Sequence, residues 1–406
     1  MHILLIHQAF TSLDEAGGTR HMEMARLLAD QGYQITIIAS PISYLTGKTK
    51  YPPPELSGKS NQYPGIRILH TYTFPAIHKS FFHRILSFFS FMVSSFLAGV
   101  KVNKVDLVWG TSPPIFQGVT CWLLAKLKGV PFLFEVRDLW PAFAIAIGVI
   151  KNPLLIRMSE WLEKFLYLHA DLVIVNSPGY LDHVSQTGAT NIKLIPNGAD
   201  LDLFSDSING DDFRKKCHWE NQYVVMYAGA HGLSNDLDVI LQAANILRNE
   251  KEIIFALVGD GKEKENLIHK AEELHLEQVI FLPPVPKLEM ASVLAASDAC
   301  IAILKPLELY KTTFPNKVFD YMACSRPVIL AIDGVIRQIV EDAQAGFPVT
   351  PGNPQELADA ILYLFSHQEE GKIMGISGRS YVNKFYNRKT ITDQFIRLLE
   401  NLTKLC

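Results

Sequence analysis

Residues 223–236 read YVVMYAGAHGLSND. Six apolar residues run without polar alternation into Gly229-Ala230-His231-Gly232, and a helix is expected to begin near Asp236. A run of that kind predicts a strand covered on both faces, feeding a tight loop and then a helix. The same unit recurs at 253–258 (IIFALV, then Gly259-Asp260-Gly261), and strands are expected again at 278–282, 299–304 and 327–331. Upstream, strands are expected at 2–6 (HILLI), 34–39, 67–70, 106–109, 131–135, 171–175 and 192–195, with helices between them at 19–31, 115–127 and 152–169. Repeated strand–helix crossover predicts parallel, doubly wound α/β sheets. The polar, turn-rich stretch 204–212 (FSDSINGDD) divides the two series, so domains are expected at 1–203 and 204–387. Residues 388–405 read as an amphipathic helix with Ile391, Phe395, Leu398 and Leu399 on one face. Two such domains would face a central cleft with their strand ends, and ligands of open α/β sheets bind beyond those ends.

The bulk properties fit this division. A chain of 406 residues with 48% hydrophobic and 19% charged residues predicts two packed domains rather than disorder. The net charge of −3 gives no ground for a nucleic-acid partner. Residues 1–130 nevertheless carry 12 Lys/Arg against 6 Asp/Glu, a basic start that would attract phosphate or anionic lipid. The 5 cysteines are odd in number and have no metal-ligand spacing, as in a reducing cytoplasm. The apolar start of the chain is too short for a signal peptide and reads as the first buried strand. Residues 85–100 are almost wholly apolar, with His78, Lys79, His83 and Arg84 before them and Lys101 and Lys104 after. Sixteen residues fall short of the ~20 that span a bilayer, so residues 78–104 are expected to lie in a membrane interface, with a buried core helix as the alternative.

The chemistry-bearing residues lie in loops after strands. His7 ends the first strand, and Gly17-Gly18-Thr19-Arg20 enter a helix whose N-terminus favours an anion. Residues 135–141 (EVRDLWP) gather two acids, Arg137 and Trp140 at a strand end. Asp138 could fix a sugar hydroxyl or accept a proton, and Arg137 could grip a phosphate; a structural Arg137–Asp138 pair is the alternative. Gly229, His231, Gly232, Gly259 and Asp260 suit backbone contact to phosphate. The most specific stretch is 311–329, KTTFPNKVFDYMACSRPVI. Asn316 is placed to cap a helix starting at Lys317. A cation in a first helical turn opposes the helix dipole unless an anion joins it. Asp320 could meet a ribose diol, or be a merely exposed helical Asp.

These segments resemble family four of the retaining glycosyltransferases, which have the GT-B fold. The GG loop, RDLWP, NSPGY, IPNGAD, YAGAHG, VGDG and PNKVFDYMACSRPVI follow the family's order over nearly the whole chain. Within the family, the chain looks most like bacterial transferases of surface polysaccharides, O-antigen or capsule, that use UDP-activated N-acetylated deoxyhexosamines such as N-acetyl-fucosamine. The resemblance implies a donor held mainly by the second domain through Gly18, Gly229, His231, Gly232, Gly259, Asp260, Thr312, Thr313, Pro315, Asn316 and Asp320. It also implies an acceptor met by His7, Gly17, Arg20 and Trp140, and Arg137, Asp138 and Lys317 at the chemistry. No metal or other cofactor is implied. The final helix, 388–406, would cross back onto the first domain. The family's two glutamates, separated by seven residues, correspond here to Thr312 and Asp320. Arg137 stands where the family has His, and the family's diphosphate-binding Arg and Lys are missing from YAGAHGLSND, which leaves Lys317 and nearby backbone amides to substitute.

The resemblance therefore implies transfer with retention, from a nucleotide-sugar to a polyprenyl-diphosphate-linked saccharide, by an enzyme peripheral to the cytoplasmic face of the plasma membrane. Two alternatives share the fold: a UDP-sugar 2-epimerase, and a non-catalytic nucleotide-sugar binding partner suggested by Thr312. A nicotinamide oxidoreductase is disfavoured because no GxGxxG follows the first strand.

Overall fold

The computed structural model describes residues 1–43, 46–49, 63–75, 81–205 and 207–404. They form two compact units, one of residues 1–12, 18–196 and 389–406, the other of 13–17 and 197–388.

The first unit holds seven strands: β1 (His2–His7), β2 (Gln34–Ala39), β3 (Ile66–His70), β4 (Leu107–Ser112), β5 (Phe132–Val136), β6 (Leu172–Val175) and β7 (Ile192–Leu194). Their order is β3-β2-β1-β4-β5-β6-β7, every pair parallel, with Ile3 beside Ile35 on one flank and Leu107 on the other. The second unit holds six: β8 (Tyr223–Ala228), β9 (Ile253–Val258), β10 (Val279–Leu282), β11 (Ala299–Ile303), β12 (Val328–Ala331) and β13 (Gly346–Pro348), in the parallel order β10-β9-β8-β11-β12-β13. Each sheet reverses its winding once, between β1 and β4 and between β8 and β11, and such a reversal opens a crevice at the strands' C-terminal ends. Unbroken apolar runs are explained by alternate residues entering different cores. Val224, Met226, Ala256, Cys300 and Val328 pack on one face of the second sheet, and Val225, Tyr227, Phe255, Ile301 and Ile329 on the other.

Several expectations shift. β4 runs on to Ser112, because Gly110, Thr111 and Ser112 stay buried and keep pairing with β5. β13 is too short to show a periodicity. The boundary between units lies at Pro196/Asn197 rather than 203/204. Residues 197–204 belong to the second unit: Ala199 and Phe204 join its core, and Asn197 Nδ2 donates to Phe314 O at 2.7 Å. The last helix, Arg388–Lys404, passes to the first unit from Lys389 onward, where Phe395 lies 4.9 Å from the Trp109 ring.

The apolar stretch expected at 85–100 forms the helix Phe81–Val100, the one helix among the described residues long and apolar enough to cross a membrane by length and composition. Its inner face is part of the first unit: Ser87, Phe88, Phe91 and Ser95 are buried, and a Cβ on Gly99 would meet Leu124 at 2.4 Å. Its outer face exposes Phe82, Leu86, Phe89, Val93, Leu97 and Val100, a stripe at helical spacing. His78 and Lys79 lie outside the described residues.

Candidate functional site

In the first unit a buried polar cluster lies beneath the strand ends. Glu135, fully buried on β5, accepts from Arg20 Nε at 2.8 Å and from His21 Nε2 at 2.6 Å. Burial alone would push the Glu135 carboxyl up, but the hydrogen bond from His21 and the positive charge of Arg20 hold it far below the usual range. Burial conversely lowers His21, against the pull of Glu135. We assign an ionised Glu135 to a neutral His21 that donates from Nε2, in keeping with the absence of a partner at His21 Nδ1. Arg20 also donates to Pro196 O (2.7 Å) and Ile195 O (2.6 Å). It is buried and saturated by protein groups, so the expected acceptor contact is corrected to a structural role that fastens the helix Arg20–Asp30 to the far edge of the sheet.

Above this cluster, Arg137 spans the crevice between β1 and β4. Its Nε donates to Thr111 Oγ1 (3.0 Å), and its Nη2 to Pro113 O (3.2 Å) and His7 Nε2 (3.0 Å). His7 must accept there. It carries no exposed surface, so its expected direct contact with an acceptor is also corrected: it orients Arg137 instead. The structural Arg137–Asp138 pair does not form. Asp138 is open to solvent, and no hydrogen bond to its carboxylate is found among the described residues. Protein atoms crowd it closely enough to push the carboxyl up to about 6, with Arg137 pulling the other way. Trp140 is half-buried and packs edge-on against Phe116 at 5.7 Å, and Phe116 in turn meets Phe88 and Phe89 of the apolar helix at 5.4 and 5.9 Å. Gly17 and Gly18 are exposed before the helix Arg20–Asp30, with nothing within 4 Å of a Cβ at Gly18.

In the second unit the helix Asn316–Ala323 closes over the crevice between β8 and β11. Tyr321 fixes it: its hydroxyl donates to Ala228 O (3.1 Å) and accepts from Ala228 N (3.0 Å) at the end of β8. One turn earlier Lys317 is half-buried, its Nζ donating to Tyr227 Oη (2.8 Å) and lying 4.0 Å from the centre of that ring. No carboxylate neutralises it among the described residues. Burial pulls its ammonium down to about 7. A Cβ on Gly229 would sit 2.6 Å from Lys317 Nζ, so the glycine keeps the space at the end of β8 open.

Asp320 is not an exposed helical Asp. Its carboxylate accepts from Lys287 Nζ (2.7 Å) and Asn316 Nδ2 (3.2 Å), and both ends of the ion pair are largely buried. Asn316, expected as an N-cap, is already inside the helix; Pro315 precedes it, and no side chain caps the end. Its amide oxygen accepts instead from the buried Arg388 (2.8 Å), which also donates to Gly198 O (2.5 Å). The result is a chain of polar contacts, Arg388–Asn316–Asp320–Lys287, of which the sequence offered the two central members only. Lys287 carried a usable signal, a cation opening a helix (Lys287–Ala295) as Lys317 does. Arg388 carried none.

The remaining donor candidates separate. His231 is fully buried, with neither ring nitrogen hydrogen-bonded, and burial lowers it to about 4, so its expected contact with a ligand is corrected to a neutral prop inside the loop. Gly259 is needed for loop packing, since a Cβ there would lie 1.9 Å from Gly229 O. The β8 and β9 loops are joined by His231 N to Asp260 O (2.8 Å), and Asp260 Oδ1 accepts from Gly261 N. Gly232 is half-exposed and uncrowded. Thr312 and Thr313 turn their hydroxyls onto Leu309 O (2.6 Å) and Tyr310 O (2.7 Å) of their own short 3-10 turn. No cluster of three or more metal-ligating side chains occurs among the described residues.

Comparison with known proteins agrees with this architecture. Residues 16–198 match the model of the glycosyl transferase 4-like domain, and residues 222–367 that of the glycosyl transferases group 1. A protein of Escherichia coli (strain K12) described as a colanic acid biosynthesis glycosyl transferase, WcaI, is 24% identical over 92% of this chain and 93% of its own. The glycosyltransferase WbjE of Pseudomonas aeruginosa is 24% identical over 66% of this chain and 69% of its own. Among solved structures, sucrose-phosphate synthase from Thermosynechococcus elongatus has a TM-score of 0.81 at 20% identity, with all of both chains covered. Anabaena HepE in complex with UDP and glucose has a TM-score of 0.72 at 18% identity over 99% of this chain and 100% of that one. These matches do not favour an epimerase or a non-catalytic binder. With both units matched, the chain belongs to the glycosyltransferases of group 1 with a 4-like first domain, built on the GT-B fold.

Proposed function

We propose that the protein transfers an N-acetylated deoxyhexosamine, with retention of configuration and without a metal, from its UDP derivative to a polyprenyl-diphosphate-linked saccharide during surface-polysaccharide assembly. The observation that carries this reading is Lys317, a half-buried cation without a carboxylate partner, held beside the open glycine loop at the β8/β11 crevice. A diphosphate there would supply the missing counter-charge. Asp320, held by Lys287 and Asn316 one turn along the same helix, is the group assigned to the ribose diol. The complex of HepE with UDP and the colanic acid role in the description of WcaI support the donor class and the setting.

As the bond from the sugar's anomeric carbon to the β-phosphate oxygen breaks, Lys317 and the loop amides steady the leaving diphosphate. The acceptor hydroxyl bonds to that carbon from the same face, its proton passing to the departing phosphate oxygen. Asp138 orients the hydroxyl, and Arg137 holds the acceptor's phosphate. The aromatic series Phe89–Phe116–Trp140 supports a lipid-borne acceptor, since it leads from the exposed stripe of the apolar helix to the loop carrying Asp138. That stripe would rest in the inner face of the plasma membrane.

Thermal stability with UDP, GDP and NAD separates the readings, because a ligand specific to the native state raises it. A rise with UDP alone is expected, followed by sugar transfer to a lipid-linked acceptor. A rise with NAD alone would remove the transferase reading, and a rise with GDP alone would remove the UDP assignment.

A further inference from the structure

We infer that the membrane contact is a platform of three helices, and that the helices Gln117–Lys128 and Pro153–His169 meet an anionic bilayer beside Phe81–Val100. The inference rests on the membrane-facing reading of the first stripe and extends it to residues that nothing in the sequence singled out.

The winding of the sheet places the three helices together. The connections from β3 to β4, from β4 to β5 and from β5 to β6 are right-handed crossovers on one face. The middle helix touches both neighbours. Gly99 of the first approaches Leu124, Gly118 approaches Leu166 of the third, and the Trp122 ring lies 4.9 Å from Phe165. On their outer sides the second and third helices expose Leu123, Leu127, Leu154, Met158, Trp161 and Leu168. The spacings, four residues in the second helix and four, seven and fourteen in the third, keep each set on one stripe. Together with the first stripe, every member is at least 38% exposed. Three adjacent helices, the longest about 30 Å, cover an apolar area on the order of 600 Å², at or beyond the largest patch of an ordinary monomer.

Charge selects the occupant. Lys126, Arg157 and Lys164 are exposed among the stripes against one exposed acid, Glu160, and Lys101, Lys104 and Lys151 are exposed at the helix ends. Asp106 and Asp171 lie past the ends, and each accepts a backbone N–H of the sheet. An apolar face rimmed by cations fits the headgroup region of an anionic leaflet better than a second copy of itself, whose like charges would be opposed. Trp161, 65% exposed, is the side-chain type that seats at that depth.

The test is flotation of the full chain with vesicles of phosphatidylcholine alone or with about one third phosphatidylglycerol. Binding to the anionic vesicles is expected. Two double variants are compared, F89E/V93E for the first stripe and L127E/W161E for the extension. Each should lower partitioning about tenfold or more while the UDP-induced thermal shift persists. Quenching of tryptophan fluorescence by brominated lipid should fall in W161F, which keeps the apolar surface and still floats. Full binding by L127E/W161E, with the quenching unchanged in W161F, would overturn the platform while leaving the first stripe in place. Loss of binding in neither double variant would overturn the membrane reading itself. If the protein dimerises and L127E/W161E makes it monomeric without affecting flotation, the surface is a self-association face and the inference fails.

Discussion

At the residue scale the structure assigns its charged groups to two kinds of work. Glu135, Arg20 and His21 are buried and bonded to one another, so they hold the first unit together. Glu135→Gln leaves Arg20 buried without its counter-charge and should cost about 3–5 kcal/mol in denaturant unfolding, far more than an exposed pair would. Lys317 differs because its charge is unmatched. A lysine lowered to about 7 binds fewer protons folded than unfolded between about 7 and its ordinary range, so it makes the free protein more stable as pH rises through that window. A diphosphate reverses the balance by favouring the ammonium. Calorimetry at about pH 8 in buffers of different ionisation heat should therefore show proton uptake on UDP binding, with affinity falling as pH rises; Lys317→Met should abolish both. The sequence singles out Lys317, Asp320 and Arg137 because a charge beside an apolar run at a strand end, or in a first helical turn, demands a partner. His7, Arg20 and His231 were misread for the converse reason. A loop residue in sequence can be a core residue in space, and nothing local reveals that Glu135 bonds Arg20, that Arg137 reaches His7 or that Gly259 packs beside His231.

At the element scale, the alternating strands and helices were legible because apolar period and loop chemistry agree along most of the chain. The disagreements have local causes. Asn316 seemed a cap from its residue type, yet Pro315 begins the turn and Arg388, 72 positions away in sequence, takes the amide oxygen. Helix packing on the second unit depends on glycines that no pattern marks. Gly375, in the helix Gln368–Phe385, lies so close to the turn after Asn316–Ala323 that a Cβ would sit 2.0 Å from Ser325 O. Backbone cannot step aside as a side-chain end can. Gly375→Ala should therefore destabilise by about 1–3 kcal/mol despite its better helix propensity, read from the unfolding midpoint. At Gly99 the obstacle is the end of the Leu124 side chain, and the same change should cost less.

At the scale of the molecule, the polar stretch 204–212 suggested the linker, but the chain has already joined the second unit at Asn197, and it returns to the first at Lys389. Sequence polarity marks solvent exposure, not unit membership, and here the two differ by seven residues. The returning helix is integral to the first unit. Phe395 is fully buried against Trp109, so Phe395→Ala should lower the stability of the first unit by about 3–5 kcal/mol, seen as an earlier transition in a melt followed by tryptophan fluorescence. The central claim concerns where the nucleotide-sugar is held: at the β8/β11 crevice of the second unit, under Lys317, and not at the matching crevice of the first, under Arg137. Titration of UDP into the wild type, Lys317→Met and Arg137→Met by calorimetry tests it directly. The expected result is binding by the wild type, a loss of about tenfold or more in Lys317→Met, and little change in Arg137→Met. Unchanged affinity in Lys317→Met, with loss in Arg137→Met, would contradict it.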